Sequence, residues 1–112
     1  MERYLLMVQT NAIRDRDPEF NAWYDERHLP DLLAIPGVMS ARRYILAESQ
    51  LGNGLDPMVL TPQQFRYLAL YEIDTENETD WIRELKRRIG TGRMSVSDAL
   101  SPTLSVVMWK AL

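Results

Sequence analysis

The sequence predicts an α+β domain in which four antiparallel strands form one sheet and two helices lie on one face of it. Two observations predict this class. Four short segments are largely apolar, and three of them have apolar side chains at every second residue, which is typical of strands. Two other segments begin with helix-capping residues and continue with apolar residues at helical spacing. The chain has 112 residues, the length of one domain, and we assign 1–112 to a single domain.

The predicted strands are bounded by polar residues and turn formers. Between the second and third strands, residues 48–63 form a long loop, marked by Gly52, Asn53 and Gly54. Residues 91–102 have no regular pattern and are predicted to be irregular. The strands themselves are expected at residues 3–10, 38–47, 65–73 and 103–112.

The first helix is expected to begin at Asp17, which can cap the free backbone amides, with Pro18 in the first turn. It should continue to about Leu33. Pro30 lacks an amide hydrogen, so a kink or a 3₁₀ turn is expected near it.

The second helix is predicted from a capping box, in which Thr75 bonds forward and Glu78 reaches back. Trp81 and Leu85 lie on the side of this helix that should pack on the sheet. Gly90 is expected to end it.

The resulting order, strand–helix–strand–strand–helix–strand, is the ferredoxin-like βαββαβ pattern. One face of its sheet should carry both helices, and the other should be polar unless something covers it. In the first strand, however, Leu6 and Val8 alternate with Leu5 and Met7, so both faces are apolar. Sheets of this kind are usually buried on both sides. A second copy of the chain is the simplest cover, so we expect a homodimer.

Composition excludes several classes of function. A net charge of −3 argues against a nucleic-acid partner, which requires a concentrated basic surface. The chain has no cysteine and one histidine, which excludes thiolate sites and sites with several histidines in one subunit. No segment is apolar enough for a signal peptide or a membrane span, so we expect a cytoplasmic protein without a membrane partner.

The histidine, His28, lies on the apolar arc of the first helix together with Trp23 and Tyr24. This arc should pack on the sheet, which predicts that His28 points inward or into a cleft. Asn21 lies at the edge of the same arc. Asp25 lies three residues before His28, and a carboxylate in contact with the imidazole would favour its charged form.

The run FNAWYDERHLPDLL at residues 20–33, followed by IPGV at 35–38 and ARRY at 41–44, resembles the EthD-like branch of the dimeric α/β barrel superfamily. The most specific part of this similarity is the spacing of Trp23-Tyr24, His28 and Pro30. The wider superfamily includes polyketide cyclases, dehydratases, muconolactone isomerases and monooxygenases without an added cofactor. The resemblance implies a pocket between helices and sheet in each subunit, and it does not imply one reaction.

We therefore expect a lyase or isomerase, similar to a dehydratase or cyclase, that acts on a hydrophobic, oxygenated small molecule without a cofactor or metal. In this hypothesis His28 transfers a proton, and Tyr24 and Asn21 polarise an oxygen of the substrate. Each of the three also has a structural interpretation, in core packing or hydrogen bonding. The alternatives are a non-catalytic ligand-binding or accessory protein and a cofactor-independent monooxygenase.

Two arginines of the second strand, Arg42 and Arg43, are adjacent and should point to opposite faces of the sheet. At most one of them can reach a given cavity. That arginine could bind a carboxylate of the substrate through two hydrogen bonds. Pairing with a glutamate such as Glu72 at a dimer interface is the alternative role.

Overall fold

The sheet has four antiparallel strands in the order β2-β3-β1-β4, as the βαββαβ pattern requires. The computed structural model describes residues 1–52 and 54–112, so the predicted turn former Asn53 lies outside the described residues. Each strand lies within two residues of its predicted limits. The strands are β1 (Glu2–Thr10), β2 (Val38–Ile45), β3 (Tyr67–Thr75) and β4 (Ser105–Lys110).

The helical segments follow β1 and β3. The first comprises α1 (Asp17–Trp23), a π-helical turn (Tyr24–His28) and α2 (Leu29–Leu33), and it ends at the predicted residue. The second is α3 (Glu78–Arg88). Over residues 1–52 and 54–112, every helix is too short or too polar to cross a membrane.

The irregularity in the first helix differs from the predicted kink or 3₁₀ turn. The chain instead forms a wider π turn immediately before Pro30, and the amide of Leu29 donates to the carbonyl of Tyr24, five residues earlier. A proline ring collides with the carbonyl four residues before it in a regular α-helix. The π turn includes the residue whose carbonyl the proline ring would meet. It also rotates the residues that follow about the helix axis, relative to their positions in a regular α-helix. Turns of this type are frequent at functional sites.

Both predicted helix caps are wrong in detail. The N-cap of α1 is Arg16, and no side chain caps this end. Asp17 instead lies in the first turn, where its carboxylate accepts a hydrogen bond of 2.6 Å from the hydroxyl of Tyr67. In α3 the cap is Asn77, whose side chain accepts from the amide of Asp80 at 3.1 Å.

The two faces of the sheet have different surroundings. The helices cover the face that contains Tyr4, Leu6 and Val8, which are buried with their neighbours in β3. We call the opposite side the open face. Strand pairing places on it the apolar residues that the alternation predicts, together with the charged residues Arg3, Arg42, Glu72 and Asp74 and a few uncharged polar residues. Its apolar members are Leu5, Met7, Tyr44, Leu68, Leu70, Val107 and Trp109.

Gly37 forms the turn that leads from the first helix into β2. Its φ of +98° lies in the region that side chains disfavour. A Cβ atom at this position would lie 2.6 Å from the carbonyl oxygen of Asp74, and the amide of Asp74 donates to the carbonyl of Gly37 at 2.8 Å. The turn therefore requires glycine for two reasons, backbone conformation and close approach to β3.

We expect Gly37→Ala to lower the free energy of unfolding by about 3 kcal/mol or more, because strain in the backbone and the collision with β3 add. Gly90→Ala is the matched control, since Gly90 also has a positive φ, +80°, but no atom within 4 Å of the added Cβ. This control should cost about 1 kcal/mol. Urea denaturation of both variants measures the difference, and equal losses would contradict the proposed collision.

Candidate functional site

A cavity of about 130 Å³ lies between the first helix and the helix-covered face of the sheet. It lies where the resemblance to the EthD-like branch implies a pocket. Almost all of its lining is apolar or aromatic, and Thr10 and His28 are the polar exceptions among the described residues. The sheet contributes Leu6, Val8, Thr10 and Val106, and the first helix contributes Trp23, Tyr24, His28 and Leu32. The far wall consists of Leu85, Ile89, Met94, Val96, Leu100 and Leu104.

The far wall belongs partly to the irregular segment 91–102, which is fixed to the rest of the domain. The indole of Trp23 donates to the carbonyl of Ser95 at 3.2 Å. The amide of Ile13 donates to the carbonyl of Ala99 at 2.7 Å. Met94 and Ala99 are fully buried as a result. The segment therefore forms a stable wall, although it has no regular secondary structure.

His28 points inward, as the helical arc predicts. Its ring stacks on Trp23, with 4.7 Å between the ring centroids, and meets Tyr24 edge-on at 4.9 Å. Its Nδ1 atom is buried and has no hydrogen-bond partner among the described residues. The imidazole is therefore held by aromatic contacts and not by a hydrogen bond to the sheet.

Burial lowers the pKa of His28 from 6.5 to about 4, and the positive charge of Arg43 contributes to the shift. The carboxylate of Asp25, which could have favoured the imidazolium, instead pairs with Arg43 at 2.9 Å. His28 is therefore neutral at neutral pH. A neutral imidazole has one nitrogen that donates a hydrogen bond and one that accepts.

Tyr24 contributes its ring to the cavity wall. Its hydroxyl accepts a hydrogen bond of 3.4 Å from the hydroxyl of Tyr71, a buried residue of β3 that does not line the cavity. Burial raises the pKa of both phenols, so both are neutral. Tyr24 is thus next to His28, but its hydroxyl already has a partner in the core.

Asn21 lies in a separate polar cluster, outside the lining of the cavity. Its side-chain oxygen accepts from Nη2 of Arg43 at 2.8 Å, and its amide donates to the hydroxyl of Tyr67 at 3.4 Å. We call Asp17, Asn21, Asp25, Arg43 and Tyr67 the Arg43 cluster. The structure therefore brings two of the three predicted site residues, His28 and Tyr24, to one cavity and places Asn21 in another environment.

Tyr24 separates the Arg43 cluster from the cavity. The guanidinium carbon of Arg43 lies 4.4 Å from the centroid of the Tyr24 ring, a distance suited to a cation–π contact. The Arg43 side chain is only 15% exposed. A positive charge thus lies behind the aromatic wall that His28 contacts, and it acts on the cavity through its electric field.

Arg42 and Arg43 do point to opposite faces of the sheet, as predicted. Arg42 lies opposite Leu70 on the open face, where Glu72 is the next residue of β3 on that face. Its pairing with Glu72 across a dimer interface stays a prediction. Arg43 lies on the helix-covered side, and both of its Nη groups already donate to residues of the first helix.

Thr10 is the site residue that the sequence analysis missed. It is the last residue of β1, on the same face as Leu6 and Val8, and it is only 2% exposed. A signal was present, because a threonine in an otherwise apolar, inward-facing series is a buried hydroxyl that needs a partner. Its hydroxyl has none among the described residues.

The residues around the cavity are poor metal ligands. Over the described ranges 1–52 and 54–112, no three acidic, histidine or cysteine side chains converge closely enough to hold a metal ion. Two carboxylates of the first helix, Asp17 and Asp25, are bonded to Tyr67 and Arg43.

Comparisons with known proteins connect this structure to solved folds. No protein-family model matches the sequence, and no curated protein matches it. The structure is similar to that of an ethyl tert-butyl ether D (EthD) family protein from Bacillus halodurans C-125, with a TM-score of 0.58, 16% identity and 100% of both chains covered. It is also similar to a dimeric ferredoxin-like protein of unknown function from Thermobifida fusca YX, with a TM-score of 0.56 and 11% identity over 98% of this chain and 92% of the other.

At these identities the matches establish the fold and leave the reaction open. The predicted ferredoxin-like βαββαβ fold is confirmed. An EthD family protein is among the matches, which agrees with the resemblance found at residues 20–44. The chain has the ferredoxin-like fold of an EthD family protein, with a cavity under its first helix.

Proposed function

We propose that the cavity binds a compact, hydrophobic, oxygenated small molecule and that His28 transfers a proton of this molecule, as in a lyase or isomerase. The observation that carries the proposal is a neutral imidazole that lines an apolar cavity, stacks on Trp23 and has no ionic partner among the described residues. An apolar pocket with a few polar groups is the usual form of a small-molecule site. No cofactor or metal is required for this chemistry.

In the proposed reaction, the neutral imidazole removes a proton from a carbon adjacent to the carbonyl of the ligand and returns it to another carbon. A histidine with a low pKa is a weak base, so the step requires an acidic C–H bond. It also requires that the imidazolium and the enolate form together, because opposite charges in an apolar cavity stabilise each other. The Arg43 charge behind Tyr24 favours the enolate. In this proposal Tyr24 shapes the cavity, and Asn21 positions Arg43.

Deuterium exchange tests the proton transfer. We expect the protein to accelerate exchange at the carbon next to the carbonyl of 2-cyclohexen-1-one in D₂O, followed by NMR. His28→Gln, which keeps a polar side chain but removes the base, should lower the protein-dependent rate by about 10²-fold or more, the usual contribution of a general base. Buffer alone gives the background rate. Equal rates for the two proteins, with the enone still bound, would reject His28 as the base.

A ligand-binding protein without catalysis is the second candidate, and the low pKa of His28 favours it. A neutral histidine that resists protonation is well suited to hydrogen bonding but poor at accepting protons. If this candidate is correct, the enone binds to the protein saturably, and the protein does not accelerate its deuterium exchange. Cofactor-independent oxygenation stays a hypothesis from the sequence, and oxygen uptake in the presence of a substrate would test it.

The lowered pKa of His28 predicts a pH dependence of stability. Between pH 6.5 and about 4 the unfolded chain binds a proton at His28 and the folded chain does not, so stability is lost as the pH falls through this range. From pH 7 to pH 5 the wild type should lose about 2 kcal/mol more than His28→Gln.

Urea denaturation of the two proteins at both pH values measures this difference. Because the chain has one histidine, its ring-proton NMR signal gives the titration directly, with a midpoint expected near pH 4. A midpoint near 6.5 would show that burial does not lower the pKa of His28.

We also infer that two copies of the chain pack their open faces together as a homodimer. Trp109 and Tyr44 are 53% and 43% exposed on this face, next to several other apolar residues. Contiguous apolar surface of this kind is uncommon on monomers. The likeness to a dimeric ferredoxin-like protein supports a dimer of this chain. Arg42 provides a positive charge on the same face, and Glu72, which pairs with Arg3 of its own chain at 3.4 Å, provides a negative one.

Introducing a charge on the open face should dissociate this dimer. We expect Trp109→Glu to be monomeric in sedimentation velocity at concentrations where the wild type is a dimer, because burying an unpaired carboxylate is costly. Val59→Glu is the control, since Val59 is 90% exposed in the loop and not on the open face. A dimeric Trp109→Glu variant or a monomeric wild type would reject this interface.

A further inference from the structure

The cavity under the first helix is open to solvent, and its opening is apolar. Its inner part is formed by almost fully buried residues, among them Leu6, Leu32 and Met94. Four aliphatic residues of the same lining are between 41% and 50% exposed: Ile89, Val96, Leu104 and Val106. We call these four residues the apolar rim. The cavity therefore reaches the surface between aliphatic side chains.

The apolar rim is assembled from three parts of the chain. Ile89 follows α3, Val96 belongs to the irregular segment 91–102, and Leu104 and Val106 lie at the beginning of β4. Single exposed aliphatic residues are common on protein surfaces. Four that converge on one cavity form a continuous apolar surface, and such surfaces usually mark a binding site.

The apolar rim lies on the helix-covered side of the sheet. Val106 is paired with Val8 of β1 and shares its face, whereas the next residue, Val107, is paired with Met7 and points to the open face. A second copy of the chain on the open face would therefore leave the rim accessible. The homodimer inferred above does not explain why these four residues are apolar.

The chemistry of the rim selects the kind of group that can cover it. Among the described residues, no charged side chain lines the cavity or its rim, so a charged substituent would lose its hydration without a counter-charge. An alkyl chain loses no hydrogen bonds there. Each methylene group that leaves water for such a surface strengthens binding, by about fourfold when its burial is complete.

From these observations we propose that the apolar rim is a subsite for an uncharged alkyl substituent of the ligand. The oxygenated part of the ligand occupies the cavity, and its alkyl chain extends through the opening and covers the rim. This inference rests on the proposed function, because it uses the same cavity, and it adds the substituent that leads out of it. It does not depend on whether His28 transfers a proton.

A series of 4-alkylphenols tests the subsite. Phenol, 4-ethylphenol, 4-butylphenol and 4-hexylphenol share one oxygenated ring and differ only in the length of the chain. We expect the affinity, measured by isothermal titration calorimetry, to rise about two- to fourfold for each added methylene group, because the rim covers one side of the chain.

Two adjacent valines of β4 provide a matched pair of variants that locates the chain. Val106→Thr keeps the shape of a rim side chain and adds a hydroxyl that the bound chain would cover. We expect it to lower the gain from phenol to 4-butylphenol by about fivefold, and to leave phenol binding unchanged. Val107→Thr makes the same change on the open face and should keep the gain of the wild type. Val96→Thr repeats the test from the other side of the opening if Val106→Thr folds poorly.

The possible results separate the subsite from the cavity. Equal affinities for phenol and the alkylphenols, or equal gains in Val106→Thr and Val107→Thr, would overturn the rim as a subsite and leave the cavity proposal intact. A changed oligomeric state of Val106→Thr in sedimentation velocity, with an unchanged gain, would overturn it in favour of an interface between copies. If the wild type binds none of the phenols, the proposed cavity function itself is wrong.

Discussion

The contact between the Arg43 guanidinium and the Tyr24 ring is the interaction on which the rest of the site depends. It joins β2 to the first helix at the π turn, with the charged carbon 4.4 Å from the ring centroid. A largely desolvated cation–π contact of this kind contributes about 2 kcal/mol. Because Arg43 also bonds Asn21 and Asp25, it removes both side chains from the surroundings of His28. The imidazole therefore has aromatic neighbours and, within the described part of the chain, no counter-ion.

This arrangement determines which chemistry the cavity can support. A histidine beside a carboxylate would be charged and would act as an acid, whereas His28 is neutral because burial and Arg43 both oppose its protonation. A neutral histidine can accept a proton from an acidic ligand or hold an uncharged ligand by a hydrogen bond. Both proposed functions therefore start from the same state of the same residue, and they differ in whether the ligand gives up its proton.

The two faces of the sheet make different kinds of contact. Its helix-covered face encloses the cavity, with Thr10 and His28 as the polar groups, and its open face carries the surface that we propose for a second copy of the chain. Successive side chains of a strand point to opposite faces of the sheet, so adjacent residues of β1 lie on different faces. A change at Thr10 therefore affects the cavity, and a change at Met7 affects the open face.

The sequence by itself determined the strand and helix order, the two-faced sheet and the inward direction of His28. These depend on local alternation, helical spacing and turn formers, which are properties of neighbouring residues. It did not determine the caps, the π turn or the partners of Asp25 and Asn21, because each depends on residues distant in the chain, Tyr67 and Arg43 above all. Only the tertiary structure decided that Asn21 lies outside the cavity and that Thr10 lies in it. A hydroxyl can be identified as unbonded only when the positions of all its possible hydrogen-bond partners are known.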